Sequence, residues 1–76
     1  MSHTRCLHTL KIGEQGYVQK LCCEGGIRRR LLDIGLIEGT MVTCVGRSPS
    51  GDPIAYRIRG AVIAIRNADA ANILIC

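Results

Sequence analysis

Hydrophobic and polar positions change their period several times along these 76 residues. In IAYRIRG (54–60) Ile54, Tyr56 and Ile58 alternate with Arg57 and Arg59, which predicts a strand with one buried face. AVIAIR (61–66), MVTCVGR (41–47) and ILIC (73–76) are short apolar runs bounded by turn residues and predict three further strands. YVQKLCC (17–23) predicts another, with Cys22 and Cys23 facing opposite sides; its two registers are equally apolar, which leaves the buried face open. Gly25 and Gly26 break that strand, and IRRRLLDIG (27–35) shifts to the helical period. Ile27, Leu31 and Ile34 form one stripe, Leu32 lies beside it, and Arg28, Arg29 and Arg30 fall around the other sides. Gly35 is placed to end this helix in the left-handed conformation. In IEGT (37–40) Gly39 occupies the third turn position, where positive φ is needed. SPSGDP (48–53) is a loop, with Asp52 held extended by Pro53. NADAAN (67–72) suits a single helical turn, with Asn67 as its cap and Asp69 near its positive end.

The pattern is mainly β: about five strands, a short helical insertion after the first and a helical turn before the last. Strands this short do not build two stacked sheets, and a small SH3-like barrel is the economical enclosure. Residues 1–9 have no periodicity and are expected to be a flexible N-terminal lead-in, with the domain running over 10–76. A chain of this size buries only about 60% of its unfolded surface. It has no Phe or Trp and two Tyr, so the core must be aliphatic, with Ile54, Tyr56, Ile58, Ile63 and Ile65 as members. No apolar run approaches the roughly 18–20 residues that span a bilayer, and no signal-peptide pattern opens the chain; the expected location is the cytoplasm. Five Cys without a C-x-x-C spacing are expected as free thiols, most of them buried.

Ten Lys and Arg face six Asp and Glu, a formal charge of +4. That balance suits an acidic protein surface, nucleic acid or anionic lipid without choosing among them. His3, Cys6 and His8 are metal-ligand types, yet neither a helix nor a strand gathers all three on one face. Zinc sites repeat a closely spaced ligand pair further along, and no second pair follows. They are therefore weak candidates for Fe²⁺ or Zn²⁺, and no resident cofactor is expected. No phosphate loop, H-E-x-x-H or paired carboxylates occur, so an enzyme is not expected. Two Tyr hardly supply the stacking platforms of a nucleic-acid module. The surface candidates for a partner contact are Arg28, Arg29 and Leu32 on the helix, Arg57 and Arg59 on the strand, and Arg66, since the Arg fork suits carboxylates. Gly35, Gly39, Gly51, Gly60 and Pro53 are read as turn-making backbone devices.

RRLLDIGLIEGTMV (29–42) and SPSGDPIAYRIRGAVIAIRNADAANILI (48–75) together resemble the FeoA family of small ferrous iron transport proteins, over about residues 10–75. GDPIAYRIRG followed by IAIR is the more specific part. Glu38 stands where the family often has Pro, and Asp69 where it has Glu. The resemblance implies an SH3-like barrel with a helical insertion, no catalysis, and association with the FeoB transporter through its cytoplasmic GTPase region, with the membrane reached only through that partner. A homo-oligomer stays open. The alternative is a metal-responsive or nucleic-acid-binding SH3-like regulator.

Overall fold

A computed structural model of the chain describes residues 4–76. Its elements in chain order are β1 (Arg5–Cys6), a 3-10 turn (Leu7–Thr9), β2 (Gln15–Leu21), α1 (Gly25–Ile34), β3 (Met41–Arg47), β4 (Ile54–Ile58), β5 (Ala61–Ile65), α2 (Asn67–Ala70) and β6 (Ile73–Ile75). The six strands form one sheet in the order β1-β6-β2-β3-β4-β5, and every pairing is antiparallel. Register shifts between Val18 and Lys20 in β2 and between Cys44 and Gly46 in β3 mark bulges. Bulges bend and twist a strand, which lets a narrow sheet wrap one core.

Alternation builds that core. Val42 and Cys44 from β3, Ile54, Tyr56 and Ile58 from β4, Ile65 from β5, and Ile73 and Ile75 from β6 are all buried and form one cluster. Val18 settles the register of β2 that the sequence left open, and Ile63 is partly buried against the same cluster. From α1 only Leu31 is fully buried, with Ile34 partly so; Ile27, at the head of the predicted stripe, is 46% exposed. The helix is too short and too peripheral to bury all three.

The amino end departs most from the sequence expectation. Residues 5–9 are part of the domain, not a lead-in ahead of it. Cys6 pairs with Leu74 and Arg5 with Ile75, while Leu7 and Leu10 are 0% and 1% exposed. Arg5 donates through Nη1 and Nη2 to both carboxylate oxygens of Glu14, at 2.9 and 3.1 Å. Glu14 also accepts from the Lys11 N–H at 2.9 Å. These bonds hold the Glu14 carboxyl down at about 2, the Arg5 hydrogen bond first and the Lys11 amide second. Leu7 was hidden from the pattern because it sits in a three-residue turn with no period of its own.

Other boundaries shift. The first predicted strand runs over Gln15–Leu21, so Cys22 and Cys23 lie beyond it. Gly25 and Gly26 open α1 instead of merely ending the strand. Arg66, not Asn67, stands at the N-cap position of α2, and its side chain makes no cap bond. Asn67 instead donates its N–H to Asp52 Oδ1 at 2.9 Å and its side-chain amide to the Gly51 carbonyl at 3.1 Å, tying α2 to the loop before β4.

Candidate functional site

Helix α1 ends where Gly35 adopts φ +112°. Its N–H donates to the Leu32 carbonyl at 3.0 Å and that of Leu36 to the Leu31 carbonyl at 3.1 Å. This double closure is a Schellman motif, and the buried Leu36 against Leu31 is its usual apolar partner. The chain then turns through Ile37–Thr40, with Gly39 at φ +89° and a Thr40 N–H to Ile37 carbonyl bond of 3.0 Å. The turn docks on β2 through Val18, whose N–H donates to Thr40 and whose carbonyl accepts from Gly39. A helix end and a strand start are thereby fixed side by side.

Arg59 lies across this junction. The sequence places it on a strand beside Arg57; in the structure β4 ends at Ile58. Arg59 and Gly60 are the two residues of the hairpin turn, with φ of +52° and +85°, and Ile58 pairs with Ala61 on either side. Positive φ at both positions defines a type I′ turn, whose twist matches that of the strands. Arg is a poor residue for such a position, since a Cβ opposes left-handed φ. Its stem runs so close to the helix end that a Cβ on Gly35 would sit 3.0 Å from Arg59 Cδ. The missing side chain of Gly35 makes the space that the Arg59 stem uses.

Arg57 and Arg59 still meet, because the turn brings Arg59 back beside the outer face of β4. They line an open depression of ≈ 410 Å³ together with Ile37, Met41 and Thr43. Thr43 and Arg57 are register partners across β3 and β4. A second depression next to it is lined by Arg28, Leu32, Lys20, Ile37 and Glu38; Ile37 and Glu38 belong to both. Arg28, Leu32, Arg57 and Arg59 thus lie along one continuous surface. Arg29 borders it in a hollow with Arg28, Leu32 and Asp33. Arg66 lies elsewhere, in a groove beside β5.

Exposed apolar groups stud this surface: Ile37 is 44% exposed, Met41 45% and Leu32 37%. The sequence reading missed Ile37, Met41 and Lys20, although an apolar residue on each side of a Gly turn was a usable signal. Among the described residues the ion pair formed is Arg5–Glu14; none of the cations on this surface is engaged in one. Free guanidinium forks around exposed aliphatic groups can take carboxylates and an apolar contact at once.

Turn residues Gly51 and Gly60 have φ of +86° and +85°, and the Asp52–Pro53 peptide bond is cis. Cys6 is in β1 and His8 in the 3-10 turn, while His3 lies outside the described residues. Among the described residues no group of three or more His, Cys, Asp or Glu is placed to hold a metal ion. Among the described residues no helix is long and apolar enough to cross a membrane.

The FeoA domain family profile matches residues 5–75. Over 67 residues the chain is 34% identical to an Fe(2+) transport protein A/Fe(2+) transporter FeoB fusion protein of Porphyromonas gingivalis; the match takes in 88% of this chain and 8% of that protein. Among solved structures, the FeoA-like protein of Clostridium acetobutylicum is 33% identical with a TM-score of 0.89, over 100% of this chain and 88% of that one. The zinc-complexed FeoA of Stenotrophomonas maltophilia, described as an SH3 domain protein, is 22% identical with a TM-score of 0.85, over 95% and 89% of the two chains. The fold is SH3-like.

Proposed function

The chain belongs to the FeoA family, and from that premise we propose that it is a cytoplasmic accessory protein of ferrous iron uptake which binds the GTPase region of a FeoB transporter. One observation carries this reading: in the Porphyromonas gingivalis relative, a domain matching this chain is covalently joined to FeoB. A fused domain works at high effective concentration, so a separate one needs a contact surface of its own. The surface holding Arg28, Leu32, Ile37, Met41, Arg57 and Arg59 has the chemistry for that role against an acidic face. The domain works by binding, without catalysis and without a resident cofactor. It shifts the transporter only to the extent that it binds one conformation of the GTPase region more tightly than another.

The test is association of the purified domain with the isolated GTPase region, with and without nucleotide and ferrous ion. Arg57→Ala with Arg59→Ala, and separately Arg28→Ala with Leu32→Ala, should each weaken binding at least tenfold with the fold intact. Undiminished binding by both pairs would reject this surface.

A further inference from the structure

We infer that the free edge of β5 is a docking site for an extended, acidic segment of a partner protein, which joins the sheet as a seventh strand. The groove along this edge is lined by neither Arg57 nor Arg59.

The hairpin register decides which backbone groups are free. Ile58 and Ala61 close a two-residue turn, so Ala61, Ile63 and Ile65 exchange bonds with β4. Val62 and Ala64 then point their N–H and C=O groups away from the sheet. β5 pairs with β4 alone, and among the described residues no other backbone bond reaches Val62 or Ala64. Such an edge is a template for another strand, and proteins commonly blunt it with charge, Pro or a bulge. β5 is AVIAI, with no charge and no Pro, and its register with β4 is unbroken. Val62 is 59% exposed.

A groove runs along this strand between it and α1. Ile27, Arg30 and Ile34 form the helix side, Ile63 and Ala64 the strand side, and Arg66 the end. Alternate side chains of an added strand would enter it, and Ile27, 46% exposed, supplies an apolar wall. β-Strand addition uses this division of labour, with main-chain bonds for affinity and a side groove for selectivity.

Charge selects the occupant. Arg30 and Arg66 line the groove with Asp69 as the one acidic neighbour, so the local excess is positive. A second copy fits poorly: antiparallel self-pairing about Ile63 would bring together two edges that each carry Arg30 and Arg66 against a single Asp69. Those like charges oppose it. A segment of about five residues with acidic side chains toward the groove removes the conflict.

The probe is a blocked eight-residue peptide of alternating Val and Glu. It should slow amide exchange at Val62 and Ala64 at least tenfold, while the Val/Lys counterpart should not. A version N-methylated on its pairing edge should fail to bind. Ala64→Pro, which removes an edge donor that β4 does not use, should abolish binding; Arg30→Glu with Arg66→Glu should weaken it at least tenfold. Arg57→Ala with Arg59→Ala should leave it unchanged, which separates this site from the surface proposed for FeoB. If Ala64→Pro does not fold, the N-methylated peptide on the unaltered protein decides alone. Equal binding of the N-methylated peptide, protection elsewhere than β5, no binding of any peptide, or a dimer protected at Val62 and Ala64 without peptide would each overturn the assignment.

Discussion

Replacing Gly35 by Ala acts on the fold and on the candidate site through the same atom. At φ +112° a Cβ costs on the order of 1–2 kcal/mol in backbone strain. The new atom would also lie 3.0 Å from Arg59 Cδ and 3.6 Å from its Nε. That neighbour is a flexible stem, so Arg59 swings away and the backbone stays. Gly51→Ala is the matched control: φ is +86° and nothing lies within 4 Å of its Cβ. Both variants should lose about 1–2 kcal/mol. With a urea m-value of about 1 kcal/mol/M for a domain of this size, each midpoint should fall by roughly 1–2 M. Only Gly35→Ala should shift the Arg59 Nε–H resonance and weaken binding to the GTPase region proposed as the partner. Equal affinities for the two variants, with that resonance unmoved, would refute the link between the helix end and Arg59.

Arg59→Asn restores a favoured Asn-Gly type I′ turn; the domain should gain about 0.5–1 kcal/mol in urea unfolding while losing affinity for the GTPase region, a trade that marks a residue kept for function. Leu7→Ala should cost about 2–5 kcal/mol, enough to unfold much of so small a domain, as circular dichroism would show. The Glu14 carboxyl is lowered from 4.5 to about 2, so its contribution is present above pH 4.5 and is lost as pH falls toward 2; Glu14→Gln should flatten acid unfolding in that window. Burial pushes the Tyr56 phenol up to about 12, with its hydroxyl donating to the Leu7 carbonyl at 3.4 Å. The unfolded chain ionises near 10, so stability should decline by about 2 kcal/mol as pH rises from 10 to 12, and Tyr56→Phe should remove that decline in alkaline denaturation.

Alternation and turn residues were enough to determine β3 and β4, the helix end at Gly35, and a core led by Ile54, Tyr56 and Ile58, because these depend on local period and on backbone angles that only certain residues accept. The Arg-rich character of the helix and of the 57–59 stretch was equally plain. What the sequence could not determine was adjacency. β1 is two residues long and exists only because β6, almost seventy residues away, pairs with it; no local period marks such a strand. Likewise Arg59 left its strand for the turn because β4 and β5 close their register at Ile58 and Ala61, and its meeting with Ile37 and Met41 follows from the Gly35 cap. Which cations share a surface, and that Arg66 stands apart on the β5 edge, are consequences of long-range pairing, which sets the distances that no spacing along the chain contains.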